Sequence, residues 1–466
     1  MAEKLPVTDK QASSKQSVEE SPTPKSEPNS EEEPIELASS PLKDDTRVFI
    51  QHINSLKESL FMAMVVMMGA HEKAHKDMDA FVKLYCDRKE ENGKTYIKPK
   101  LHDYCKKYSA LRKAVDQSHI TYEVVPQCFL VALVSKFDGF IRSFLRHLLL
   151  LNRNTLKGSH ATLSVADLLS YDTVEKAYEF VVDSELDAPL RGSHTALLKY
   201  IGETFDLGWR KDELWKNFIE ITERRNLFVH TNGVVSAQYI DVCRQNGVKV
   251  SEDIAEGKPL PVTPAYFKEA KNIVLELGIK LSQVLWRKQL PDGLRAADES
   301  LGDVTFDLLC ERQFKLAKNL LEFATEELGG KYSNPDWPLI YRVNLAIAYK
   351  EMNDVAKLNR CLASLDWRET HQKFQLAEAV LSERYHHAVV LMKSLGQELG
   401  KTSYRDWPLF TRFRETSQFK VTYREIFGED FQKEIEVREQ MEAEKCAEPM
   451  QEPETECESE ELPTVH

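Results

Sequence analysis

The sequence predicts an all-α protein: a helical bundle, then an array of helical hairpins, with acidic termini outside the fold. Three observations predict it. From about residue 46 to 432, apolar residues recur at the three- and four-residue spacing of helices. Strand-like text is confined to Val248-Lys249-Val250, which reads as a hairpin remnant or a loop. In the last third, two phrases return about 70 residues later, as helical-hairpin repeats do.

Both termini read as disordered. Residues 1–42 are rich in Ser, Pro, Glu and Lys, and 433–466 repeat Glu, Pro and Cys with almost no aromatics. Such segments cannot bury enough apolar surface to offset their conformational entropy. Residues 1–45 carry −6 and 433–466 carry −9, so the net −13 leaves about +2 for the chain between them. A nearly neutral core flanked by acid leaves RNA binding open without predicting a broad basic footprint.

Within the core, Thr46 to Arg88 reads as one long helix, with Val48, Ile50, Ile53, Leu56, Leu60 and Met64 on one face. Pro126 reads as a helix start, followed by a stripe of Phe129, Leu133, Phe137, Phe140, Phe144 and Leu148. Leu163 to Asp167 suits a short capped helix, and further helices run over Ser193–Phe205 and Lys211–His230. Thr263 is a natural N-cap, with Pro264 at the first position of a helix to Leu290. The resulting segments are 43–124, an accessory helical segment; 125–292, a helical domain; and 300–432, the repeats.

In the repeats, Glu311-Arg312-Gln313-Phe314 is echoed by Glu383-Arg384-Tyr385 at an offset of 72. Asp336-Trp337-Pro338-Leu339 returns as Asp406-Trp407-Pro408-Leu409 at an offset of 70. Both are about twice the ~34-residue tetratricopeptide period, which the region resembles in degenerate form. Trp337, Trp367 and Trp407 recur at matched positions, so hairpin packing is their expected role rather than stacking of RNA bases.

Neither export nor membrane insertion is predicted. No basic segment followed by an apolar one opens the chain. Leu60–Ala70 is shorter than the ~18 residues that a span requires, and charges interrupt Phe129–Leu151. The eight cysteines include no CxxC pair and read as reduced thiols. The expected location is the cytoplasm.

Three motifs could carry chemistry. His71-Glu72-Lys73-Ala74-His75 is a literal HExxH, but Lys73, Lys76, Asp77 and Asp79 mark a solvated face rather than a buried zinc helix. An Arg and a His five positions apart are expected about once by chance, and Arg142 with His147 is read as such a coincidence. Arg225-Asn226-Leu227-Phe228-Val229-His230 adds Asn after the Arg, follows an amphipathic helix, and ends at the turn Thr231-Asn232-Gly233. On a regular helix Arg225 and His230 sit about 140° apart. Their convergence within a chain requires the helix to loosen at His230.

Over about 125–290 the chain resembles the HEPN superfamily of helical ribonucleases, whose signature is Arg, a polar residue, then His four to six positions after the Arg. Arg225, Asn226 and His230 match that pattern residue by residue. The resemblance implies metal-independent RNA cleavage with no cofactor, in which the 2′-OH attacks the adjacent phosphate. A histidine moves the proton and an arginine fork stabilises charge on the phosphoryl oxygens. It also implies a homodimer whose two Arg–His pairs line one cleft, as in toxin or abortive-infection effectors. Arg224, Arg142 and Asp138 are expected on the RNA side, and the repeats over 300–432 as the site of a regulator or antitoxin protein. The rival expectation is an inert HEPN scaffold that binds protein partners.

Overall fold

The computed structural model describes residues 40–91, 94–158, 163–207, 213–251 and 254–431. The expected tails at 1–42 and 433–466 lie outside the described residues, except for 40–42. Those belong to the fold: α1 begins at Pro41, and Leu42 is fully buried.

α1 (Pro41–Tyr85) and α2 (Tyr104–Leu151) pack antiparallel as the longest pair. They are joined by a hairpin that sequence reading missed, β1 (Cys86–Glu91) with β2 (Lys94–Pro99), in register from Cys86–Pro99 to Glu91–Lys94. Its strands read Cys-Asp-Arg-Lys-Glu-Glu and Lys-Thr-Tyr-Ile-Lys-Pro. They bury almost nothing, so the alternation that betrays a half-buried strand is absent. Val248–Val250, by contrast, forms no strand. Pro126 is a second correction: it lies buried inside α2 rather than at a helix start. Its missing N–H removes one backbone bond, and the buried stripe that follows it, from Leu130 to Leu149, holds the helix together. Both long helices are apolar enough by length and composition to cross a membrane, which counting uninterrupted runs did not reveal. In α2, 39% of that stretch is buried within the chain; in α1, only 17% is.

Next come the short α3 (Val165–Leu169), capped by Ser164, and α4 (Val174–Arg191). Three more helices follow: α5 (His194–Thr204) capped by Ser193, α6 (Glu213–His230), and α7 (Ala237–Gln245). α8 (Pro264–Gln289) is capped by Thr263 as expected. α2 is the centre of this bundle, touching α1, α4, α6 and α8. Phe49 of α1 stacks on Phe140 of α2 with ring centres 4.2 Å apart. Gly278 of α8 faces that stack so closely that a Cβ there would lie 2.7 Å from Phe49 Cε1.

Helical hairpins continue from there. They are α9 (Leu294–Cys310) with α10 (Phe314–Glu322), α11 (Asp336–Glu351) with α12 (Val355–Ala363), and α13 (Gln372–Leu381) with α14 (Tyr385–Leu395). One turn joins all three: Arg312, Asn353 and Glu383 each adopt φ 57°. In each turn the following N–H returns to the carbonyl five residues back, in Leu308, Tyr349 and Ala379. This Schellman closure satisfies carbonyls the helix end would leave open. The equivalent turn residues, Arg312 and Glu383, stand one residue short of the 72-residue offset read from sequence. α15 (Gly400–Asp406) and α16 (Ser417–Phe427) end the described chain.

The two Asp-Trp-Pro-Leu copies are not structurally equivalent. Pro338 lies in the first turn of α11, where a missing N–H costs nothing, whereas Pro408 follows α15 and opens a 3₁₀ turn. The tryptophans do pack. Trp337 stacks on Tyr341, Trp367 Nε1 donates to Leu362 O at 2.7 Å, and Trp407 Nε1 to Asn344 Oδ1 at 3.4 Å. One apolar core runs unbroken from Leu42 to Phe431.

Candidate functional site

α6 presents two faces of polar residues to the bundle. On one, Arg225 Nη2 donates to Asp138 Oδ2 of α2 (3.2 Å), and Nη1 donates to Asn226 Oδ1 (3.0 Å). Asp138 Oδ1 lies 2.8 Å from His194 Nε2, the first residue of α5. Asn226 Nδ2 approaches Glu223 Oε1 at 3.4 Å. Burial pushes the Glu223 carboxyl up, opposed by the Asn226 hydrogen bond and by the charges of His194 and Arg225. Asp138 thus ties α2, α5 and α6 through one carboxylate, and Arg225 Nε stays buried with no acceptor.

The other face is closed by Glu220. Its Oε1 accepts from Arg224 Nε (2.7 Å) and Tyr239 OH (2.9 Å), and its Oε2 from Tyr266 OH (2.6 Å). Arg224 also donates to Pro261 O at 3.2 Å and lies 3.9 Å from the Tyr266 ring centre. The Arg224 side chain is 11% exposed, so this expected RNA contact is occupied within the fold.

His230 is the last residue of α6 and is exposed, with no hydrogen bond or ion pair among the described residues. The helix does not loosen there. Thr231 N–H still reaches Leu227 O, and the chain reverses only afterwards, through Asn232 (φ 57°) and Gly233 (φ 79°). Arg225 therefore points toward α2 while His230 faces solvent, and one chain does not bring the pair together.

The other expected residues have acidic partners. Arg142 binds Asp187 at 2.6 Å with its side chain 44% exposed. Arg146 binds Asp183 and Glu179, and His147 Nδ1 lies 2.7 Å from Asp45 Oδ2. His71 and His75 share a helix face, with ring centres 4.4 Å apart. Glu72, however, pairs with Lys76, and His71 Nδ1 meets Ser118 Oγ at 2.9 Å. Among the described residues no group of His, Cys, Asp or Glu is placed to hold a metal. The six described cysteines are free, and Cys446 and Cys457 lie outside the described residues.

Sequence reasoning missed His194, Glu223 and Glu220. Glu223 carried a faint signal, being an acid two residues before the motif, amid the apolar run Phe218, Ile219 and Ile221. His194 carried none, since its partner lies 56 residues away. Comparison with protein-family models, curated proteins and solved structures gave no match.

Proposed function

We propose that the chain is a metal-independent endoribonuclease of the HEPN type, working with Arg225, Asn226 and His230 and no cofactor. The observation that carries the reading is the contrast along α6. A cation is held from behind by Asp138, and an unpartnered imidazole stands one turn further on, at the exposed helix end. The RNA 2′-OH attacks the adjacent phosphorus, and its proton passes to His230. Arg225 binds the phosphoryl oxygens as charge grows on them. The 5′-oxygen leaves with a proton from the imidazolium, so the products are a 2′,3′-cyclic phosphate and a 5′-hydroxyl. Because α6 stays regular, the working pair is assembled from two protomers, Arg225 of one beside His230 of the other. Arg142, half exposed, is the remaining RNA contact. The hairpins over 300–432 bind a regulator or antitoxin, as a cytoplasmic toxin or abortive-infection effector requires.

A second reading is a non-catalytic scaffold for protein partners. It is favoured by the engagement of Arg224 and Arg225 with acids of their own chain. Purified protein incubated with structured RNA in EDTA decides between them. The ribonuclease reading expects cyclic-phosphate ends and a loss of roughly 10²–10⁴-fold in His230→Ala. Cleavage that survives His230→Ala sinks the site, and no cleavage by the unaltered protein under any condition supports the scaffold.

A further inference from the structure

Where α1 and α2 leave the bundle they form a two-helix stalk, and α1 is apolar there on every side. Leu60 to Ala70 is eleven apolar residues without a break. Only one stripe of it, with Leu60 and Met64 at its centre, is buried against the rest of the chain. Phe61, Met62, Val65, Val66 and Met68, with Ile120 and Val124 of α2, are each 42–71% exposed. A helix apolar all round is one that something covers. Monomers rarely expose a contiguous apolar patch beyond a few hundred Å². Nothing lies within 4 Å of a Cβ built on Gly69, so that side of α1 is open.

We propose that this band is a homodimerisation surface, on which α1 of a second copy packs antiparallel about a two-fold axis between Val65 and Val66. The order of residues along α1 argues for this occupant. About that axis, residues whose numbers sum to 131 face each other. At helical spacing Met62 and Gly69 lie nearest the centre of that face and oppose each other, a large side chain against none, while Phe61 and Ala70 lie at its flanks. Val65 and Val66 meet across the axis itself, and at each end Glu58 of one copy faces Lys73 of the other. Lys73 has no ion-pair partner among the described residues, and Glu58 is ion-paired with its exposed neighbour Lys57 while also feeling the charge of Lys271. An isologous interface must be self-complementary in this way.

A bilayer fits less well. The uninterrupted apolar run ends in His71, Glu72 and Lys73, and Asp116, His119 and Glu123 line the same stretch of α2. The surface stands independently of the ribonuclease reading. His71 meets Ser118, so antiparallel packing runs the band along α2 toward Gln127. The turn after His230 sits there: a Cβ on Gly233 would lie 4.0 Å from Gln127 Nε2.

Sedimentation velocity with light scattering on the full chain tests the surface without reference to cleavage. The expected results are a dimer at micromolar concentration and a monomer in Val65→Glu, at least about 100-fold weaker in association, with unchanged helical circular dichroism. Glu58→Lys and Lys73→Glu each weaken the dimer, and the double variant restores it. Three outcomes overturn the proposal. One is an unaltered protein that stays monomeric at all concentrations, whether or not it co-sediments with phosphatidylcholine vesicles through Val65. Another is a dimer indifferent to Val65→Glu, and the third is a charge swap that fails to restore association.

Discussion

Asp138 is the residue on which the site depends most. It faces Arg225 and His194 at once, with side chains 34%, 20% and 11% exposed. Replacing it by Asn keeps an oxygen for one neighbour and removes the charge that holds the guanidinium. Arg225 then sits among neutral acceptors, its Nε still unpaired. We expect Asp138→Asn to cost about 1–2 kcal/mol by urea denaturation, partial exposure keeping the loss small. On the ribonuclease reading, cleavage should fall more than ten-fold, because the Arg225 guanidinium proposed to bind phosphate loses its fixed direction. Asp187→Asn, which frees the half-exposed Arg142, is the matched control and should leave cleavage within a few-fold. Equal losses in the two variants would show that Asp138 only supports the fold. The difference in legibility follows the same geometry. Arg225, Asn226 and His230 lie within six residues and could be read from spacing. Asp138 and His194 could not be joined to them, because a contact between α2, α5 and α6 has no period in the sequence.

Among the elements, the helices with one buried face were read well and those under other constraints were not. Thr263 and Pro264 mark the start of α8, and Ser193 marks α5, because caps are local chemistry. Pro126 misled because its local meaning, a helix boundary, is outweighed by its own burial and by the buried stripe of α2 that follows it. The repeated hairpin turn was legible as a phrase but not as a conformation, since only Asn353 of its three left-handed residues is a usual choice there. The array depends on close approach as well as on turns. A Cβ on Gly302 of α9 would lie 2.6 Å from Trp337 Cζ3 and 2.9 Å from Cη2, on a ring already stacked against Tyr341. Gly302→Ala is therefore expected to destabilise by about 1–3 kcal/mol despite its gain in helix propensity. Tryptophan fluorescence should move with the unfolding midpoint. A variant as stable as the parent would mean that the Trp337 ring has room to shift.

At the scale of the molecule, bundle and array share a core, and a buried lysine stands where they meet. Lys271 of α8 is 1% exposed and donates to Asn54 Oδ1 of α1 (3.3 Å) and Gln313 Oε1 before α10 (3.2 Å). Neither acceptor is charged. Burial, with Lys57 and Lys268 adding to it and Glu311 and Glu58 opposing, lowers its pKa from 10.5 to about 8. Between those values the unfolded chain binds a proton that the folded chain has lost, so this group makes stability rise as pH rises. Below about 8 both states are protonated, and the full cost of a buried ammonium, about 3 kcal/mol, is present. Lys271→Met removes the proton from both states. The difference in unfolding free energy between the parent and this variant should therefore grow in the parent's favour from pH 8 to 10.5 and stay flat from pH 6 to 7.5. Buried tyrosines such as Tyr266 and Tyr239 titrate alike in both proteins and cancel in that difference. A difference that does not change with pH would place Lys271 in a wetter setting, with an ordinary pKa. The seam would then be held by packing alone, without a charge whose removal strengthens the join between bundle and array.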